Sequence, residues 1–346
     1  MNQNFPYVLL SPHTIERTLC GPILTRLLAS PELNLRGIRR FEFDGKLAGQ
    51  LAGLLPSGNL ADAVRKSFIG DVLLIVFDPA STALLSGICG TFGDRAGYSL
   101  RGSFGTSQDP VFVCSCDGGN IEAIRAFLGE IAACQPNLAP EGAEERTLTI
   151  IKPENWRNSS CRPGCIFDLF SRAGLRLAGC KFHGMSVAEA FEFYGPVRDA
   201  LRKKLGGRYA IQARVAVGQA MTLPDAVDLD AAFAAIGEAA ADGEFNKIIE
   251  FMSGRSMFVS GVERDLPGTA RCLILVFDGI DAIAKIRKVL GATDPAKAEP
   301  GTVRADFGTS IMVNGGHASD SVQSFLRESQ ILKLDDNDLD EYLLQQ

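Results

Sequence analysis

Near the end of the chain runs Asn314-Gly-Gly-His317-Ala-Ser319-Asp-Ser. An imidazole is neutral near pH 7 and can attack phosphorus covalently, which splits one transfer into two easier steps. Phosphoryl transfer asks little more of a protein than positioning, plus neutralisation of the charge that develops on oxygen. Side chains suited to that task are spread along the sequence. Lys152, Arg287 and Arg304 supply cations, the lysine as a point charge and the arginines as planar two-point forks. Thr293 and Asn314 supply neutral hydrogen bonds. Ser319 and Asp320 sit where a last helix should begin, and backbone N–H groups at such a start face anions. Glu328 follows His317 by eleven residues, about three turns along that helix.

These residues belong to the later of two internal repeats. The core Arg-x-x-Phe-Gly-Thr occurs at Arg101 and again at Arg304, a step of 203. Each copy opens alike, with Tyr7-Val-Leu-Leu-Ser-Pro12 and Leu148-Thr-Ile-Ile-Lys-Pro153. Each also carries an apolar run ahead of its loop, Val72–Phe77 and Cys272–Phe277. The opening prolines are only 141 apart, so the second copy holds 62 more residues between these landmarks. Most of the excess falls after Tyr194, in a stretch around 198–270 that includes the alanine-rich Ala231–Ala241, a strong helix former. The breaker-rich, acidic segment Gln135–Glu145 reads as the linker. The domains are therefore placed at 1–137 and 138–346.

In the second copy, the β-branched Thr147–Ile151 reads as a buried strand. Ile166, Leu169, Phe170 and Ala173 fall on one helical face. Leu175–Met185 reads as a strand, and Ser186-Val-Ala-Glu189 is a capping box that starts a helix. Cys272–Phe277 is a strand. Ile283, Ile286 and Leu290 mark a helix stopped by Gly291, and a final helix from about Ser321 should turn Val322, Phe325 and Leu326 inward. The first copy has a similar order. The expected fold is α+β, two tandem ferredoxin-like domains, each an antiparallel sheet with helices packed on one face.

The His317 motif, Ile151-Lys152-Pro153 before it, and Gly291-Ala-Thr-Asp-Pro…Arg304-Ala-Asp-Phe between them resemble nucleoside diphosphate kinase. The resemblance covers Arg146–Tyr194 and Arg271 to about Ile331. It implies a ping-pong kinase in which ATP phosphorylates His317, ADP leaves, and a nucleoside diphosphate takes the phosphoryl group. By the same resemblance Lys152, Arg287 and Arg304 bind phosphate, and Thr293 and Asn314 contact phosphate and sugar. Glu328 orients the histidine, Ser319 assists, and Tyr194 precedes the nucleotide lid. Mg²⁺ would arrive on the nucleotide's phosphates, so no protein carboxylate cage is expected. Family members form tetramers or hexamers, so a homo-oligomer is expected, and two fused domains would mimic one family dimer.

The sequence departs from the family in three places. Ala318 stands where the family has glycine. The short family lid is replaced by the long stretch between Tyr194 and Phe245, which puts Glu244 at the base-stacking position and reads as either a rebuilt lid or an interaction surface. The first copy has lost most of its chemistry: Cys114 falls at the histidine position, Ser11 at the lysine, Val111 at Asn314 and Leu84 at Arg287, and only Arg101 survives. It reads as catalytically inactive. Two rival functions stay open at this level: a nucleotide-binding sensor or scaffold without turnover, and histidine phosphotransfer to another protein.

Composition narrows the remainder. The chain has 346 residues, enough for two domains at about 150 residues each. With 46% apolar and 22% charged residues it is neither disordered nor a coiled coil. Its net charge of −6 argues against bulk nucleic-acid binding. No apolar run reaches the roughly 18 residues of a membrane span, and Met1–Tyr7 lacks the pattern of a secretory signal. Nine scattered cysteines and three histidines offer no zinc spacing, which suits reduced thiols in a cytoplasmic protein. Cys114 reads as a packing residue, Cys161 and Cys165 as too few for a metal site and idle, His13 and His183 as structural, and the acidic Asp335–Glu341 as a solvated end or a partner contact.

Overall fold

A computed structural model describes residues 5–79, 82–93, 97–106, 109–142, 144–222 and 228–344. Met1–Asn4, the Asp94-Arg95-Ala96 part of the first repeat's loop and Ala143 of the linker lie outside the described residues. The chain forms two compact units, one of Met1–His183 with Cys272–Gln346 and one of Gly184–Arg271.

The first unit holds both repeats. Their β-branched and aliphatic runs become two four-stranded antiparallel sheets. The first consists of β1 (Tyr7–Leu10), β2 (Leu35–Phe43), β3 (Gly70–Phe77) and β4 (Phe112–Cys114), in the order β2-β3-β1-β4. The second consists of β5 (Glu145–Ile151), β6 (Arg176–His183), β7 (Cys272–Gly279) and β8 (Gly316–Ala318), in the same order, β6-β7-β5-β8. Both sheets carry a register shift at the same place, between Leu35 and Gly37 and between Leu177 and Gly179. This is the ferredoxin-like α+β arrangement that the repeat predicts. The first sheet differs from expectation in having apolar cover on both faces. Val8, Leu10, Leu73 and Ile75 enter one core, while Tyr7, Leu9, Val72 and Leu74 enter another. The alternation is the strand period of two, with apolar residues at every position.

The two repeats pack on each other through equivalent elements. Helix Cys20–Leu28 lies against helix Arg162–Ser171, and glycine on each sets the approach. A Cβ on Gly21 would lie 2.5 Å from Asp168 Cα, and one on Gly164 would lie 2.3 Å from the Thr25 nitrogen. Gly21 and Gly164 are 143 residues apart, as are Thr25 and Asp168. The contact is therefore self-complementary, like that of a two-fold dimer. One apolar core runs through it, from Ile23, Leu24 and Leu27 to Ile166, Phe167 and Phe170.

The chain's end closes the same seam, which corrects the reading of Asp335–Glu341 as a solvated end. Leu339, Tyr342 and Leu343 join the first repeat's second core. Buried Asn337 donates to Ile38 O of β2 at 3.0 Å, Cys180 O of β6 at 2.8 Å and Asn137 Oδ1 at 3.0 Å. Fully buried Arg39 is paired with Asp340 at 3.2 Å. Lys181 and His183 both meet Asp338, at 3.4 and 3.0 Å. Asn337→Ala orphans several buried acceptors at once and is expected to cost about 2–4 kcal/mol, read as a lower denaturant midpoint at unchanged m.

The helix predicted from Ser321 runs Val322–Ile331, with the Ser321 hydroxyl accepting from Ser324 N. Only Phe325 of the three expected apolar residues is buried. Val322 and Leu326 are 47% and 49% exposed, because Glu328 and Ile331 share the inward face with Phe325.

The second unit is mostly the insertion. The capping box at Ser186 and Glu189 forms as predicted and starts helix Val187–Phe193. The alanine-rich segment lies within helix Asp230–Ser253, which packs along helix Gly195–Ala220. Gly206 and Gly237 allow the close crossing, since a Cβ on Gly237 would lie 2.2 Å from Gly206 O. Asp242 accepts from both Arg202 and Arg198, which hold its carboxyl well below the usual range. Phe245 is fully buried, edge-on to Phe191 at 5.5 Å, and so presents no face for a base. No helix among the described residues is long and apolar enough to cross a membrane.

Candidate active site

Strand β8 brings the histidine motif beside β5, with His317 opposite Ile150. The Thr149 hydroxyl donates to His317 O at 2.7 Å and fixes the backbone there. The ring is 23% exposed, and its Nε2 meets Glu328 Oε1 at 3.0 Å. The other oxygen of that carboxylate accepts from the Ser319 hydroxyl at 2.7 Å. Glu328 is buried. A carboxylate that accepts from Nε2 leaves the lone pair on Nδ1. Ser319 stops the carboxylate from turning, and the carboxylate sets both tautomer and orientation of the ring.

Lys152 follows β5 directly and is buried. Its Nζ donates to Asn314 Oδ1 at 2.7 Å and to Met312 O at 3.1 Å. Burial draws its pKa down from 10.5 to about 8; Glu154 opposes that and Arg304 adds to it. Asn314 Nδ2 donates in turn to Thr293 O at 3.0 Å and Ile311 O at 2.9 Å. Arg304 Nη1 donates to Gly291 O at 3.1 Å and Thr293 Oγ1 at 3.4 Å, and its Nη2 to Gly316 O at 3.3 Å. Lys152, Thr293, Arg304, Asn314, His317, Ser319 and Glu328 are thus held together in the first unit.

Arg287 stands on the exposed face of helix Ala282–Leu290, and its charge reaches Asp320. The Ser324 hydroxyl is the larger cause of the lowered Asp320 pKa. Tyr194 lies in the second unit, where it caps helix Val187–Phe193 and precedes helix Gly195–Ala220.

Other residues complete this framework without any motif to announce them. Glu154 accepts from Gly315 N at 2.8 Å. Asn155 donates to Lys152 O at 3.1 Å and to Gly315 O at 2.9 Å, and Arg162 donates to Phe307 O at 2.6 Å. The one signal for Glu154 and Asn155 in the sequence is their adjacency to Lys152-Pro153. Gly315 is held at φ +81, a conformation that favours glycine.

Strand pairing corrects the correspondence between the repeats by one residue. Leu9 and Ile150 are 141 apart, the step of the opening prolines, and Leu9 faces Val113 where Ile150 faces His317. Val113, not Cys114, therefore stands at the histidine position, and Pro110, not Val111, at that of Asn314. The backbone agrees, since Ser11 N donates to Val111 O at 3.0 Å as Lys152 N does to Gly315 O at 3.1 Å. A shift of one in a strand moves every side chain to the opposite face. Cys114 is fully buried in the core shared with Ala318, its true counterpart.

A family model described as nucleoside diphosphate kinase matches residues 240–336. The nucleoside diphosphate kinase of Campylobacter concisus (strain 13826) is 31% identical over 184 residues, covering 53% of this chain and 91% of its own length. Nucleoside diphosphate kinase 1 of Protochlamydia amoebophila is 30% identical over 182 residues, covering 53% of this chain and 87% of its own. A crystal structure of the Aquifex aeolicus nucleoside diphosphate kinase aligns over 55% of this chain and 94% of its own, at 24% identity and a TM-score of 0.34.

Proposed function

The chain belongs to the nucleoside diphosphate kinase family, and from that premise we propose that its second repeat transfers the terminal phosphoryl group of ATP to nucleoside diphosphates through His317. Nδ1 attacks the γ-phosphorus, a P–N bond forms, and the bond to the β,γ-bridging oxygen breaks. ADP leaves with the electron pair. A terminal oxygen of the incoming nucleoside diphosphate then attacks the phosphorus and the P–N bond breaks. The ring needs no proton exchange at Nδ1 in either half, because Nε2 keeps its proton against Glu328. As phosphorus binds to the ring, positive charge develops on the imidazole, and the buried carboxylate at 3.0 Å stabilises it.

The observation that carries this reading is the Ser319–Glu328–His317 chain, set beside the joined group of Lys152, Asn314 and Arg304. On this reading Lys152 and Arg304 neutralise phosphate, Thr293 and Asn314 contact phosphate and sugar, and Arg287 meets phosphate from its exposed helix. Tyr194 stands where the inserted helices begin. Mg²⁺ comes with the nucleotide as part of the substrate. The catalytic domain is 138–346, the domain at 1–137 is a non-catalytic partner fused in place of a second subunit, and the protein works in the cytoplasm.

The test is intact-mass measurement after exposure to Mg-ATP, followed by chase with a nucleoside diphosphate. A single acid-labile phosphoryl adduct that the chase removes is the expected result. Nucleotide binding with no adduct would leave the sensor reading instead. An adduct released only to another protein would favour phosphotransfer. Glu328→Gln keeps the shape but no longer holds the ring by charge, so transfer should fall about 10- to 100-fold with little change in nucleotide KM. Steady-state kinetics on both half-reactions reads that split.

A further inference from the structure

The arginine that survives in the first repeat is held as its counterpart is. Arg101 Nη1 donates to Gly90 O at 2.9 Å and Nη2 to Phe112 O at 3.1 Å. Arg304 makes the matching bonds to Gly291 O and Gly316 O. The two guanidinium groups differ in what else they meet. Arg304 is half-buried beside Thr293. Arg101 is 3% exposed and is clasped two-point by Asp117, at 2.5 Å from Nη1 and 2.6 Å from Nη2. Asp117 Oδ2 also accepts from Cys114 N at 2.8 Å. Three N–H donors thus converge on one carboxylate, which is itself only 4% exposed. Two-point arginine contact plus a backbone N–H is how proteins hold an oxyanion of phosphate type.

We propose that Asp117 is a resident anion: the first repeat retains an anion site built on Arg101, and the chain fills it with its own carboxylate. The site's natural class of ligand is a tetrahedral oxyanion such as inorganic phosphate, which Asp117 displaces permanently because it is tethered to the chain. The residues nearby fit a site kept closed. Val113 and Ser11 stand where the second repeat has His317 and Lys152, so an anion admitted here would find no imidazole and no ammonium at those two positions. Retaining Arg101 alone would leave a buried uncompensated charge, which is strongly destabilising. The carboxylate removes that cost and excludes nucleotide in one step. The inference concerns the first repeat alone and holds whether or not His317 is the nucleophile.

The experiment uses the full chain as wild type, Asp117→Ala, Asp117→Asn and the double variant Arg101→Met/Asp117→Ala. Thermal midpoints are taken in chloride and in inorganic phosphate at matched ionic strength. Asp117→Ala should melt several degrees below wild type in chloride and recover at least half of that loss in phosphate, by mass action on the folded state. Wild type and the double variant should show only a common, smaller response, that of the second repeat. Asp117→Ala that folds only when phosphate is present is the same result in stronger form. An equal phosphate response in Asp117→Ala and wild type overturns the proposal. So does Asp117→Asn melting with wild type in chloride, because the isosteric amide fills the space without the charge.

Discussion

His317→Ala should abolish the acid-labile phosphoprotein and lower nucleoside diphosphate phosphorylation by about four orders of magnitude or more. Removal of a covalent nucleophile leaves only binding and charge stabilisation by the remaining groups. Ser319 still donates to Glu328 Oε2 in the variant, so one oxygen of the buried carboxylate stays paired. The ring itself is 23% exposed and opens no sealed cavity. The stability loss should therefore stay within about 1–2 kcal/mol, and circular dichroism with a thermal melt checks it. A folded variant that still forms the adduct on another residue would remove His317 from the mechanism.

Lys152→Met should lower kcat/KM for nucleotide about 10²- to 10³-fold, because it removes a positioned cation from the place where charge develops. Stability should change little. The buried ammonium is costly, and the thioether restores the apolar stem while leaving Asn314 Oδ1 and Met312 O without their donor. The same lysine imposes a pH signature. Its pKa is drawn down to about 8 by burial. Phosphate neutralisation by Lys152 is complete below that pH and is lost as pH rises through it, so wild-type kcat/KM should decline above pH 8. Stability moves the other way. An unfolded lysine holds its proton to about pH 10.5, so between about 8 and 10.5 the unfolded chain binds more protons. Folding then gains with pH from this group. Lys152→Met should lack both trends, and paired pH profiles of activity and denaturant midpoint will show it.

Much of the site is legible in the amino-acid order. Residues 314–321 and Arg304 lie in short contiguous motifs, and Lys152 ends a β-branched run, so their types and order can be read locally. The position of Glu328 beside the ring, 3.0 Å from Nε2, follows from the eleven-residue spacing, because a helix of known rise carries it from the loop to the ring. The burial of Phe245 is not legible in the same way. Helical spacing says that it shares a face with Ile249 and Met252 but not what covers that face.

The two copies with their order of strands and helices, and the cluster of phosphate-handling residue types in the later one, follow from the sequence by itself. Periodicity and capping are local properties, and the chain states them twice. Three matters are decided only by the tertiary structure. Cys114 reads as the replacement for the histidine because Asp117 and Asp320 share the step of 203 with the arginine motif. Register is set by which backbone groups pair across strands, and that moves the assignment to Val113. The acidic end reads as a solvated end or a partner contact because it is a run of carboxylates, yet Asn337 satisfies partners some 157 to 299 positions away. Arg101 reads as a surviving phosphate ligand, and only the fold shows that its neighbour is Asp117. Hydrogen-bond partners and strand register depend on distances between remote segments, and composition carries no record of those distances until the chain is folded.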